Sequence, residues 1–221
     1  MKQPPLAQLL SIVALFGISF GIVEGSVVVY LRGLHYPGGF TFPLVPLEAQ
    51  HLQVEVAREA ATIVMLVAFA LGAVRGRWER FAVFMIAFGV WDLVYYLWLW
   101  LVLEWPGSVL DWDVLFLIPM PWIGPVAAPA GMALLMSGAG VLLLARRAKG
   151  WGFAPGRVGW TLGIAATALI LWTFMRDTAA TLHGALPEPY RYDLFLVGCA
   201  GLLVAFLRSF QAPAGNGPAA P

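Results

Sequence analysis

Six apolar stretches, each close to the length of a membrane span, constrain this chain more than any other feature. They cover roughly residues 8–31, 54–74, 81–103, 127–146, 158–176 and 192–210. A helix needs about 20 apolar residues to cross the hydrocarbon core of a bilayer. We therefore predict an all-α, polytopic membrane helix bundle of about six transmembrane helices, which forms one domain over residues 1–211. The tail, residues 212–221, is rich in Ala, Gly and Pro and is expected to be disordered.

The low content of charged residues supports lipid as the solvent. Only 11% of the residues are charged, whereas a soluble domain carries roughly 25%. Cys199 is the single cysteine, which excludes an intrachain disulfide and a cysteine-based metal cluster. The sequence contains no Walker A or HExxH motif. Its basic loops are accounted for by membrane topology, so we expect membrane lipid and no nucleic acid as a partner.

The basic residues favour one orientation in the membrane. If six helices alternate, nine of the 13 Lys and Arg residues fall on the side that carries both chain ends: Lys2, Arg75, Arg77, Arg80, Arg146, Arg147, Lys149, Arg157 and Arg208. The positive-inside rule then places both termini in the cytoplasm. Glu79 is the only acid on that side, so the other 11 acids and all three histidines lie in the outer half or in the spans.

A proline-rich segment lies between the third and fourth predicted spans. Residues 115–129 contain four prolines and are otherwise apolar. Proline removes a backbone donor and clashes with the preceding turn, so this segment cannot be a regular helix. Its apolar character does not suit a free loop. We predict a segment that lies at the outer interface or re-enters the bundle.

Glu24 is the most informative polar residue, because it lies inside the first span, about 10 Å from its outer end at ~1.5 Å per residue. A buried charge at such a depth normally faces a partner or a water-filled cavity. Gly17, Gly21 and Gly25 form a small-residue stripe on nearly the same face, which permits close helix packing and a homo-oligomer contact. Glu24 is therefore either functional or a protonated carboxyl that binds a neighbouring helix.

A polar stripe marks the start of the second span. His51, Glu55, Arg58, Glu59 and Thr62 share one helical face. Histidine and carboxylates one turn apart can ligate a metal or relay protons. The alternative is an amphipathic helix entry in which Arg58 neutralises the acids.

Asp92 lies near the middle of the third span and is followed by Tyr95 and Tyr96. Asp92 is predicted to be a ligand or proton carrier, or else to bind a tyrosine hydroxyl and hold two helices together. Asp113 and Asp193 each begin an apolar run, where a helix N-cap is expected.

Three runs of sequence carry a resemblance: residues 89–96, Trp105-Pro106 with Trp112-Asp113, and residues 117–125. They are similar to runs in uncharacterised bacterial multi-pass inner-membrane proteins, which have no assigned activity. The resemblance implies an inner-membrane setting and no specific function.

Three hypotheses follow from these residues. In the first, Glu24, Glu59 and Asp92 form the catalytic floor of an outward-facing site, with His51 and Glu55 nearer its mouth. These five residues would ligate Fe, Mn or Zn in a membrane enzyme that acts on a lipid-soluble substrate. In the second, the same carboxylates carry a cation or proton in a transporter component. In the third, the chain is a non-catalytic assembly subunit, and its acids hold helices together.

Overall fold

Long helices dominate the computed structural model, which describes residues 4–45 and 47–212. The helices are α1 (Leu6–His35), α2 (Ala49–Ala73), α3 (Arg77–Leu103), α4 (Ala127–Ala148), α5 (Arg157–Met175), the short α6 (Thr178–Leu182) and α7 (Tyr192–Arg208). Apart from α6, each begins and ends within five residues of a predicted span. The helical bundle is as predicted. Of the predicted disordered tail, residues 213–221 lie outside the described residues.

Five stretches are long and apolar enough to cross a membrane: α1, α2, α3, α4 and the continuous stretch of α5 with α6. The sixth predicted span is present as α7, but it has only 17 residues. At ~1.5 Å per residue it is about 25 Å long, which is shorter than a typical hydrocarbon core of about 30 Å. It packs along α5 over most of its length.

The proline-rich segment forms a β-hairpin. Strand β1 (Trp112–Phe116) pairs antiparallel with β2 (Trp122–Pro125), and β2 contacts α4 and α5. The last residues of the proline-rich segment, from Ala127, belong to α4; the sequence did not indicate strands, and the interfacial or re-entrant placement stays a prediction. Asp113 therefore lies in a strand, and its prediction as a helix N-cap is wrong. Asp193 lies in the first turn of α7.

Helix α3 is the centre of the bundle, because α1, α2 and α4 all pack against it. The glycine stripe of α1 makes the closest approach. A Cβ atom added to Gly17 would lie 2.8 Å from the Val90 side chain, and one added to Gly21 would lie 2.6 Å from the Trp91 carbonyl oxygen. Gly25 is likewise buried against α3. The stripe serves packing within the chain, and the homo-oligomer contact stays a prediction.

The two ends of the bundle differ in charge. At one end, Glu79 at the start of α3 binds Arg147 at the end of α4 with an N–O distance of 2.8 Å. At the same end, β3 (Gly152–Phe153) pairs with β4 (Phe210–Gln211), which joins the α4–α5 connection to the chain after α7. We call this the basic end. The opposite end carries the α1–α2 connection and the β1–β2 hairpin.

Candidate functional site

A cavity of about 600 Å³ lies at the end of the bundle opposite the basic end. Helices α1, α2 and α3 form its walls, while the α1–α2 connection and the β1–β2 hairpin contribute the remaining surface. Most of its lining side chains are apolar. The polar ones are Glu24, Arg32, His35, Tyr36, Glu55, Arg58, Glu59, Asp92, Tyr95, Tyr96 and Asp113.

Four of the five residues that the sequence singled out line this one cavity. Glu24 comes from α1, Glu55 and Glu59 come from α2, and Asp92 comes from α3. The side chains converge because the polar stripe of α2 and the glycine face of α1 both turn towards the bundle interior. His51 is the exception among the described residues, since it does not line the cavity. Its ring packs edge to face on His35, with ring centroids 5.2 Å apart.

Arg58 is the partner of two of these carboxylates. It forms an ion pair with Glu24 across the α1–α2 contact. It also donates two hydrogen bonds to Glu55 Oε2, from Nε at 2.9 Å and Nη2 at 2.7 Å. Thr62 donates a further hydrogen bond to Glu24. A single guanidinium therefore contacts both buried carboxylates and offsets one of their two negative charges.

Glu59 and Asp92 have no ion-pair partner within residues 4–45 and 47–212. The Glu59 carboxylate accepts a hydrogen bond of 2.7 Å from the backbone N–H of Leu117 in the hairpin. Asp92 Oδ2 is shielded from solvent and has no hydrogen-bond partner among the described residues. The predicted Asp92–tyrosine hydrogen bond is not formed there. In the described part of the chain, the two arginines of the cavity are thus bound to its other carboxylates.

A second buried ion pair lies beside the cavity. Arg32 Nη2 donates to Asp113 Oδ1 at 2.9 Å, and both side chains are over 90% buried. The Arg32 guanidinium also lies over the rings of Trp105, 3.6 Å from its centroid, and Phe40. Burial raises the pKa of the Asp113 carboxyl, and the Arg32 charge opposes that rise. Arg32 thus joins α1, the α1–α2 connection, the chain after α3 and the hairpin.

The predicted metal ligands do not gather into a metal site. Within the part of the chain that the structure describes, no three side chains of His, Cys, Asp or Glu are placed so that they could hold a metal ion. Two of the five proposed ligands, Glu24 and Glu55, are already bound to Arg58. The geometry thus gives no support to a site made from His51, Glu55, Glu59, Glu24 and Asp92.

Sequence reasoning missed Arg32 and Asp113 as parts of the site. Arg32 follows the first predicted span directly, and Asp113 was expected at a helix start. One signal was present: Arg32 precedes a proline-containing connection and Asp113 precedes the proline-rich segment, both on the outer side. Without the hairpin, however, nothing in the sequence pairs two residues 81 positions apart.

Comparison with known proteins gives no functional assignment. No family model, no curated protein and no solved structure matches this chain. The residues of the cavity are therefore the basis for proposing a function.

Proposed function

We propose that this chain is an integral membrane protein that binds a lipid-soluble small molecule in the cavity and exchanges protons with it through Glu59 and Asp92. One observation carries the proposal: carboxylates from three helices, Glu24, Glu59 and Asp92, line a single cavity whose other walls are mainly apolar. Following the positive-inside rule, we propose that this cavity faces the periplasm of a bacterial inner membrane.

The cavity has the size and composition of a small-molecule site. Ligand pockets commonly measure roughly 300 to 1,000 Å³ and combine apolar walls with a few polar groups that fix the orientation of the ligand. Here the volume is about 600 Å³. Apolar walls favour a ligand that reaches the site from the bilayer, while buried carboxylates in an apolar cavity are suited to general acid and base chemistry.

The three carboxylates that we predicted to be catalytic have different roles in this proposal. Glu24 is held by Arg58 and Thr62, so it positions the guanidinium and sets the local charge. Glu59 is held at one oxygen by the hairpin backbone, and Asp92 lines the cavity without an ion-pair partner among the described residues. Glu59 and Asp92 are thus the groups that touch the ligand.

A second candidate function is transport of a cation or proton. The observation that favours it is the excess of acids: five carboxylates line the cavity and only two arginines do. Carboxylates that lack a fixed counter-charge inside a membrane protein are typical of cation and proton pathways. Flux across proteoliposomes that is lost in Asp92→Asn would favour transport, whereas unchanged flux would count against it.

Retention of a lipid-soluble molecule through purification tests the proposed function. Val28 of α1 lines the cavity, and Val28→Trp should fill part of it. Val23→Trp is the matched control, because Val23 lies on the same helix, is 59% exposed and does not line the cavity.

We expect mass spectrometry of organic extracts to find a molecule that the wild-type chain and Val23→Trp retain and that Val28→Trp loses. Equal recovery from both variants would contradict a cavity site. Thermal unfolding of each variant shows whether Val28→Trp still folds.

A further inference from the structure

The pairing of charges in the cavity indicates which chemical class of ligand it accepts. Both arginines that line it already have carboxylate partners. Arg58 binds Glu24 and Glu55, and Arg32 binds Asp113. Within the described ranges, this leaves Glu59 and Asp92 without a cationic partner.

Because the interior of a membrane protein has a low dielectric, two unpaired carboxylates in one cavity are costly. Such groups either take up protons or bind a cation. A metal ion does not fit well, since no group of three suitable ligands is found among the described residues. An anionic ligand is disfavoured by the remaining acids. An organic cation fits the apolar walls and the two carboxylates together.

We propose that the ligand is a lipophilic amine whose ammonium group binds the Asp92 carboxylate in the cavity that Glu59 also lines. This inference rests on the proposed function, because it assumes that the cavity is a ligand site. An ammonium group has three donors and no acceptor, so it can donate to the Asp92 carboxylate, which has no ion-pair partner among the described residues. Trp91 and Tyr95 line the same cavity, and aromatic rings attract cations. The alkyl part lies against the apolar walls.

Asp92 is the residue that distinguishes an amine from a neutral ligand. An ionised Asp92 attracts an ammonium and gives no such advantage to an alcohol of equal length. Removing one partner of a buried, hydrogen-bonded charge pair costs about 2 to 5 kcal/mol, which corresponds to about a 30-fold or larger loss of affinity. Alkylamines are protonated at neutral pH, as lysine is.

The test compares decylamine with decanol. Labelled probe is equilibrated with protein in nanodiscs of zwitterionic lipid, and binding to empty nanodiscs is subtracted. The variants are Asp92→Asn and Asp193→Asn. Asp193 is the matched control, since its side chain is 61% exposed and paired with Arg191 outside the cavity.

We expect saturable binding of decylamine to the wild-type chain and to Asp193→Asn, with decanol bound at least tenfold more weakly. Asp92→Asn should weaken decylamine binding about 30-fold and leave decanol binding unchanged, which also shows that the variant is folded. Equal affinity for both probes, or decylamine binding that survives Asp92→Asn, would overturn the amine proposal and leave the cavity site standing. If neither probe binds the wild-type chain saturably, both the amine proposal and the proposed function fail.

Discussion

The ion pair between Arg32 and Asp113 should be one of the strongest single contributions to the stability of this protein. The guanidinium and the carboxylate are 2.9 Å apart, and only 8% and 3% of the two side chains are exposed. Arg32→Met removes the charge but keeps much of the apolar stem. It leaves Asp113 buried without its counter-charge and removes the contacts with the Trp105 and Phe40 rings.

The expected loss of folding stability in Arg32→Met follows from these contacts. Breaking a buried ion pair by removing one partner costs about 3 to 5 kcal/mol, and the two cation–π contacts add about 1 kcal/mol or more. We therefore expect Arg32→Met to lower the free energy of unfolding by about 4 kcal/mol or more. Arg191→Met is the control at the same end, because Arg191 and Asp193 form an exposed pair, and exposed ion pairs contribute little to stability.

Reversible unfolding in mixed detergent micelles measures both variants. The double variant Arg32→Met/Asp113→Asn should lose less than the sum of the two single variants, with a coupling of about 2 kcal/mol, because it no longer leaves a lone buried charge. If Arg32→Met lost no more stability than Arg191→Met, the pair would not be buried as described, and this reasoning would be refuted.

Three further predictions concern other parts of the bundle. Gly21→Ala should cost about 1 to 3 kcal/mol, because its Cβ would lie 2.6 Å from an α3 carbonyl oxygen. Gly33→Ala on the same helix has open space and should gain up to about 1 kcal/mol; equal unfolding energies would contradict the α1–α3 contact. Elemental analysis should find the same Fe, Mn and Zn content in the wild-type chain and in Glu59→Gln, since no three-ligand group is formed among the described residues; metal lost with Glu59 would restore the metal hypothesis. Glu79→Gln should change the unfolding energy by less than about 1 kcal/mol, because its pair with Arg147 is partly exposed; a loss above 2 kcal/mol would mean that the pair is buried.

The helices were predictable from the sequence because the membrane imposes a length and a hydropathy on every span. The inward direction of Glu24 was also predictable, since it shares a face with Gly17 and Gly21. Helix α2 begins five residues before the predicted span, because its first turn carries the polar residues Gln50, His51 and Gln53. Hydropathy excludes such residues from a span although they lie on a continuous helix.

The partners of the charged residues were less predictable. The spacing of the polar stripe indicated that Arg58 could neutralise acids of its own helix. Its pair with Glu24 depends on how α1 and α2 pack, which the spacing does not encode. The Arg32–Asp113 pair depends on the β1–β2 hairpin, and the prolines of that segment excluded a helix without indicating strands. The Glu59 carboxylate accepts its hydrogen bond from the backbone N–H of Leu117, and side-chain patterns do not encode the position of a backbone donor.

Cryo-electron microscopy of the chain in lipid nanodiscs, with a bound antibody fragment because the chain is small, would show whether Glu24, Glu59 and Asp92 face one shared cavity. We expect one continuous cavity bounded by these three carboxylates, with Arg58 against Glu24 and the Leu117 backbone against Glu59. Carboxylates that turn to separate helix contacts or to lipid, with protein filling the space between them, would contradict it.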